Sequence, residues 1–428
     1  MVGRVLQRMV DVRDEEASAL LLSALYFFLL FTGYFIIRPL RDEMGMLGGV
    51  RDLAWLFTGT LVGMLLVHPL YTALVGKLPR SRFIPIVYRF FAANLVIFFV
   101  LLEVVPTDHQ IWIARVFFIW TSVYNLFVLA VFWSFMADIF RPEQAKRLFG
   151  FIAVGGTLGA VLGSAITAQL AAVINPVLLL LVSAVTLELA VQCVNRLARW
   201  SDDQPDGTGE HDASQGGAIG GSVMGGISAV IRSPYLLAIC AYLFCHTITA
   251  TFLYFQQAEI VPLALGDERA ARTVFLARID LVVNVLTAIT QIFLTGRVLK
   301  VFGVAVSLAA LPLVCAAGFL SLSVWPTLTA LAIFQVLRRS SNYAISRPGR
   351  EVLYTVLPRE EKYKAKHLID TFVYRAGDQV GAWSYAGARA LGLGMTGLSL
   401  AAAPLSVAWL GLAVWLGKRQ KELERESV

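Results

Sequence analysis

The stretch IWIARVFFIWTSVYNLFVLAVFWSFMA, residues 111–137, carries a single charge, Arg115, in an otherwise apolar and aromatic run. About 20 such residues suffice to cross the ~30 Å hydrocarbon core of a bilayer as a helix, because a helix satisfies its own backbone N–H and C=O groups. It therefore reads as a membrane span. Eleven further runs meet the same description, with approximate limits 18–37, 53–75, 84–105, 148–171, 176–197, 235–257, 274–296, 302–323, 327–346, 367–391 and 396–417. The fold class expected is an all-α integral membrane protein of about twelve spans.

Composition agrees. Of 428 residues, 57% are hydrophobic and 15% charged, against roughly 45–50% and about 25% in soluble domains. This excludes a water-soluble globule. The net charge of +7 is assigned to loop cations facing anionic lipid, so no nucleic-acid partner is expected. Cys193, Cys240, Cys245 and Cys315 lie inside apolar runs without metal-ligand spacing and read as packing residues. The first run is long, follows a charged stretch and lacks a small-residue cleavage site, so it is not read as a cleavable signal.

Basic residues set the orientation. Twenty-four Lys and Arg fall on the side of the termini and six opposite, namely Arg38, Arg41, Arg51, Arg269, Arg272 and Arg389. The positive-inside bias places both termini in the cytoplasm, for a bacterial protein in the inner membrane. Residues 198–232, acidic and then Gly-rich, read as a flexible cytoplasmic linker between six-helix halves at 1–197 and 233–428. The halves look related. A shift of 218 residues places Glu143, Lys146, Gly159 and Gly163 on Glu361, Lys364, Gly377 and Gly381, and a shift of 217 pairs Asn125 with Asn342. Twelve spans in two parallel six-helix repeats resemble the major facilitator architecture, with a binding site at mid-membrane between the repeats.

Charges inside spans cost about 2.5–3.5 kcal/mol each at the helix centre and ordinarily face a partner or a cavity. Here they are mostly arginine: Arg38, Arg41 and Asp42 close span one, followed by Arg89, Arg115, Arg278 with Asp280, Arg338 with Arg339, and Arg375 with Asp378. Guanidinium groups grip phosphate or carboxylate with paired hydrogen bonds, so the substrate expected is a small organic anion. Snorkelling to headgroups is an alternative for Arg89 and Arg115, and ion pairing to neighbouring helices for Arg278 and Asp280. Tyr26, Tyr34, Tyr124, Asn125, Asn284, Gln291, Asn342 and Tyr343 are read either as substrate contacts or as helix glue. Gly155, Gly159 and Gly163 form one smooth helix face for close packing. The histidines are scattered, with no catalytic constellation, so neither an enzyme nor a cofactor is expected.

Three stretches resemble the ATP/ADP translocase family of plastids and intracellular bacteria. They are YFIIRPLRDEMG at 34–45, FWSFMADIFRPEQAKRLFGFIAVGGTLGAVLG at 132–163, and KYKAKHLIDTFVYRAGDQVG at 362–381. In the last, Lys362, Lys364, Lys366, Ile369, Asp370, Arg375, Gly377 and Gly381 follow the family's order. The resemblance implies that Arg41 is the basic residue of span one, and that Lys366 is the nucleotide-sensitive lysine of span eleven. Two departures touch substrate charge: WTSVYNLF lacks an early acid in span four, and Asp378 stands where the family tends to have lysine. The function expected is exchange of a nucleotide or other phosphorylated metabolite by alternating access, acting as a monomer. Arg38, Arg41, Arg89, Arg338, Arg339 and Lys366 would hold the anion with Tyr34, Tyr343 and Asn342. Asp42, Arg278, Asp280, Asp370, Arg375 and Asp378 would serve charge pairing or coupling. The alternatives are a proton-coupled carrier of a smaller anion or drug, with Asp280, Asp370 or Asp378 taking the proton, and a non-transporting scaffold or sensor.

Overall fold

Apolar runs without strand periodicity leave the helix as the way to satisfy the backbone in lipid, and every element among the described residues is helical. The computed structural model describes residues 13, 16–75, 80–202, 230–358, 365–366 and 368–426, with backbone alone at 68–75, 80–82, 202 and 370–371. The principal helices are α1 Ala17–Met46, α2 Gly49–Val75, α3 Arg80–Val104, α4 Gln110–Ile139, α5 Pro142–Leu170, α6 Leu179–Asp202, α7 Pro234–Leu265, α8 Arg269–Phe293 and α9 Thr295–Val324. They continue with α10 Leu328–Ser341, α11 Arg347–Leu353, α12 Tyr374–Ala390 and α13 Met395–Glu426.

Among the described residues ten helices are long and apolar enough to cross a membrane. The expected runs 327–346 and 367–391 are helical but are not among the ten. The first is α10, carried into α11 by the π-helical turn Asn342–Ser346, and holds Arg338, Arg339, Arg347 and Arg350. The second is α12, preceded by the π-helical turn Ile369–Val373, and holds Arg375, Asp378 and Arg389. By themselves α10 and α12 are 14 and 17 residues long, each bordered by a π-helical turn. Most of the expected linker, 203–229, lies outside the described residues.

The chain divides into two compact units. One comprises Met1–Leu47, Gly59–Asp212 and Glu268–Leu281, the other Gly48–Thr58, Ala213–Asp267 and Val282–Val428. The division therefore passes through α2 and α8. In the first unit α1 packs chiefly on α5 and α6, and α3 on α6. In the second, α7 packs on α12 and α9 on α13. Span one on span five and span three on span six thus recur as seven on eleven and nine on twelve.

Glycine makes the closest of these approaches possible. A Cβ at Gly155, Gly159 or Gly163 of α5 would land on the backbone carbonyl of Ala24, Phe28 or Thr32 of α1. At Gly377 and Gly381 of α12 it would meet Thr247 and Thr251 of α7. The stripe read as a packing face packs, and its partners under the 218-residue shift do the same. Aromatic rings fill the rest of the first unit: Phe27 stacks on Phe132 at 4.2 Å and Trp120 on Tyr124 at 5.2 Å. Tyr26 is fully buried and hydrogen-bonds Tyr88, joining α1 to α3, and Tyr124 is fully buried with its ring against Phe91 and Trp120.

Candidate functional site

In the first unit the arginines that close α1 meet acids. Pro39 sits inside the helix between them. Arg38 Nη1 lies 3.5 Å from Asp280 Oδ1 of α8, and its guanidinium stands 5.5 Å from the Phe35 ring. Arg41 donates to Asp42 Oδ1 at 3.1 Å and lies 4.1 Å over the ring of Phe118. One residue on, Glu43 is 1% exposed and is flanked by Arg269 at 3.4 Å and Arg272 at 4.0 Å, while Arg269 also donates to Gln110 Oε1 at 2.9 Å. Tyr34 is half-buried and edges onto Phe35. Glu43, Arg269, Arg272 and Gln110 were missed by sequence reasoning. The two arginines were read as external-loop cations, and nothing in a one-dimensional pattern pairs them with an acid more than 200 residues away.

Arg89 stands apart. Its side chain is more than half exposed and its fork is filled by Glu188 of α6, with Nε–Oε2 at 3.0 Å and Nη2–Oε1 at 2.9 Å. The fork that would grip an anion is thus occupied by a protein carboxylate in this structure. Arg278 is exposed on α8 and does not join Asp280.

The second unit gathers the deeper cations. Arg338 is 6% exposed, and its Nη2 donates to the main-chain carbonyl of His246 at 3.2 Å, while its Nε has no hydrogen-bond partner. Arg339 follows it, half-buried. Asn342 and Tyr343 occupy the π-helical turn, half-buried and exposed respectively. Arg375 Nη1 pairs with Asp378 Oδ2 one turn on at 3.3 Å and lies 5.9 Å from the Tyr374 ring. Asp378 also bears electrostatically on Arg338. Lys366 pairs with Glu351 and stands 5.5 Å over the ring of Tyr354. Lys362 and Lys364 lie outside the described residues, as does the side chain of Asp370, whose backbone is in the second π-helical turn.

Two further groups of the second unit were not expected. His246, 3% exposed in the middle of α7, accepts from Arg338 on its main-chain carbonyl and packs its ring on Trp409 at 5.9 Å and Tyr374 at 6.1 Å. Arg350 of α11 is half-buried, with its Nε unpartnered. A lone ionisable residue deep in an apolar run was the available signal for His246; Arg350 was hidden because the run was ended seven residues too early. Arg389, read as an idle external cation, pairs with Glu259 at 2.8 Å, and Tyr385 donates to the same carboxylate at 2.9 Å.

Arginine is thus matched to acid at Arg38, Arg41, Arg89 and Arg375, and Lys366 likewise. Arg338 and Arg350 form no ion pair among the described residues. A desolvated, unneutralised guanidinium is a receptor for an anion. By contrast, a cavity of about 480 Å³ between α9 and α10 is lined by Leu313, Ile333, Phe334 and Leu337 with a few hydroxyls, and contains none of the charged candidates.

No protein-family model matches the chain. Over most of its length the chain resembles the ADP,ATP carrier protein 1 of Chlamydia trachomatis, at 21% identity across 89% of this chain and 83% of the carrier. The carrier of the same name from Chlamydia muridarum is 20% identical over the same shares. Among solved structures it shares the fold of a bacterial homologue of the human lysosomal transporter Spinster, in an inward-facing and unoccupied conformation. There the TM-score is 0.54 at 14% identity, covering 97% of this chain and 98% of that one. A bacterial metal transporter gives a TM-score of 0.59 at 12% identity, covering 96% and 99%. The protein is a helical integral membrane protein with the fold of these solved transporters, and it is distantly similar to the two Chlamydia ADP,ATP carrier proteins.

Proposed function

We propose that the protein carries an organic anion across the membrane, a nucleotide or other phosphorylated metabolite, by alternating-access exchange. The observation that carries this is Arg338: a guanidinium 6% exposed, with no ion-pair acid and an unfilled Nε. A scaffold has no use for such a group, and its burial argues against headgroup snorkelling. Similarity to ADP,ATP carriers over most of the chain supports a nucleotide as the anion. In this reading Arg338 and Arg339 hold phosphate, Tyr343 and Asn342 lie beside it on the π-helical turn, and Arg38, Arg41, Tyr34 and Lys366 act along the path. The spans number twelve, including α10–α11 and α12, in two six-helix halves joined by a cytoplasmic linker. Both termini face the cytoplasm of the inner membrane.

Exchange follows from charge. A carrier whose cationic site is empty must move an uncompensated charge through low dielectric, whereas the loaded site is neutralised. Arg38, Arg41, Arg375 and Lys366 have acids of their own, so the uncompensated charge in this reading is that of Arg338. A second reading, proton-coupled uptake, is favoured by the Arg375–Asp378 and Arg38–Asp280 pairs, in which an incoming anion would displace a carboxylate that then takes a proton. Counterflow separates the two: proteoliposomes loaded with nucleotide take up labelled nucleotide faster than empty ones if exchange operates, and a protonophore stops uptake if proton coupling does.

A further inference from the structure

Two side chains of α10 reach across to α7. Arg338 Nη2 donates to the main-chain carbonyl of His246 at 3.2 Å, and one turn earlier Gln335 Nε2 donates to Gln257 Oε1 at 2.9 Å. Gln335 is 6% exposed and Gln257 4%. Their mutual bond uses one donor group and one acceptor. Among the described residues Gln335 Oε1 and Gln257 Nε2 make no hydrogen bond, yet neither atom is sealed inside the protein. Gln256, next along α7, is the contrast: it is fully enclosed, donates to Ser399 Oγ at 2.6 Å and has its Oε1 sealed off. Gln256 ties helices together, whereas the Gln257–Gln335 pair keeps an amide N–H and a C=O within reach of a ligand. Turning both amides over leaves the same outward pair.

A donor beside an acceptor on two buried amides matches the edge of a nucleobase. Adenine offers its exocyclic N6–H next to a ring-nitrogen acceptor, and glutamine amides meet such an edge with two hydrogen bonds. A bare phosphate presents acceptors and leaves the Gln335 carbonyl unmet. The spacing to Arg338 suits a single molecule. Gln335 and Arg338 start about 5 Å apart along α10, and their anchor points on α7, Gln257 and His246, are eleven residues or about 16 Å apart. The groups held by the amides and by the guanidinium are separated by an interval between those limits, as a ribose separates base from phosphate.

We propose that Gln257 and Gln335 bind the base edge of a nucleotide whose phosphate lies at Arg338, with adenine as the base they fit. This rests on the reading of the substrate as a nucleotide. Arg338 supplies affinity common to phosphorylated anions, and the glutamine pair selects among them by the base.

The full-length protein, reconstituted in nanodiscs, is titrated with ADP, with purine riboside 5′-diphosphate, which lacks the exocyclic amine, and with inorganic pyrophosphate, which lacks the base. Wild type should bind ADP about tenfold more tightly than the purine riboside diphosphate, one hydrogen bond whose buried partner is left unmet being worth about that much. Gln335→Met should erase this ratio, and Gln257→Met should weaken both base-bearing ligands about tenfold. Each should leave pyrophosphate within about twofold, whereas Arg338→Gln should weaken all three. If Gln335→Met does not fold, Gln335→Asn, which keeps the amide and withdraws it by one methylene, should lower the same ratio. In a wild type that binds ADP, glutamine variants that leave the ratio unchanged, or that weaken pyrophosphate as much as ADP, overturn the base site alone. A wild type that binds pyrophosphate but not ADP overturns it as well. A wild type that binds none of the three overturns the phosphorylated-anion reading and the base site with it.

Discussion

Arg338 and Arg89 are the same residue type within spans, and their surroundings separate them. Arg89 is exposed and fully forked by Glu188, while Arg338 is buried with a carbonyl on one nitrogen and nothing on another. A hydrogen bond to a charged group contributes about 1.5–3 kcal/mol, so Arg338→Gln should weaken nucleotide binding roughly tenfold to a hundredfold. The paired replacement Arg89→Gln with Glu188→Gln removes both charges together and should leave affinity within about twofold. Ligand-induced shifts in melting temperature read both. Equal losses at the two sites would return Arg89 to the binding set.

At the scale of elements, α5 on α1 and α12 on α7 are the same contact made twice, but with different neighbours. A methyl at Gly159 meets the α1 backbone and one at Gly377 meets Thr247, a buried β-branched side chain with its hydroxyl hydrogen-bonded, while one at Gly150 of α5 meets nothing. Overpacking costs about 1–3 kcal/mol, and Gly159→Ala and Gly377→Ala should each lower the melting temperature while Gly150→Ala should not. The entry to α1 adds a pH dependence. Glu16, just before the helix, is pushed up by burial, but Gln144 at 2.9 Å, the Arg13 N–H and Arg147 at 3.1 Å outweigh this and hold its carboxyl below the usual range. A lowered folded-state value stabilises at pH above the unfolded carboxylate range, and the stabilisation is lost as pH falls through the folded value. The difference in melting temperature between wild type and Glu16→Gln should accordingly be largest at neutral pH and shrink toward pH 4. A difference constant with pH would mean that the contact is not electrostatic. The spans and the glycine stripe were legible because hydropathy and i, i+4 spacing are properties of one segment. The π-helical turn Asn342–Ser346 has no such signature, and the acids that match Arg38, Arg89 and Arg389 come from helices remote in sequence.

For the whole molecule, the asymmetry of twenty-four basic residues to six makes topology testable. A reporter after Asp206 should be cytoplasmic and one near Asp108 external, and the same side for both would refute the twelve-span count. The central claim, exchange of a phosphorylated anion, is tested most directly in proteoliposomes preloaded with ADP, with inorganic phosphate, or with buffer alone. Labelled ADP should enter preloaded vesicles faster than empty ones, unaffected by a protonophore, and Arg338→Gln should abolish the difference. Uptake that is the same in empty and preloaded vesicles and collapses with the protonophore would contradict the account and move the mechanism to proton coupling through Asp280, Asp370 or Asp378.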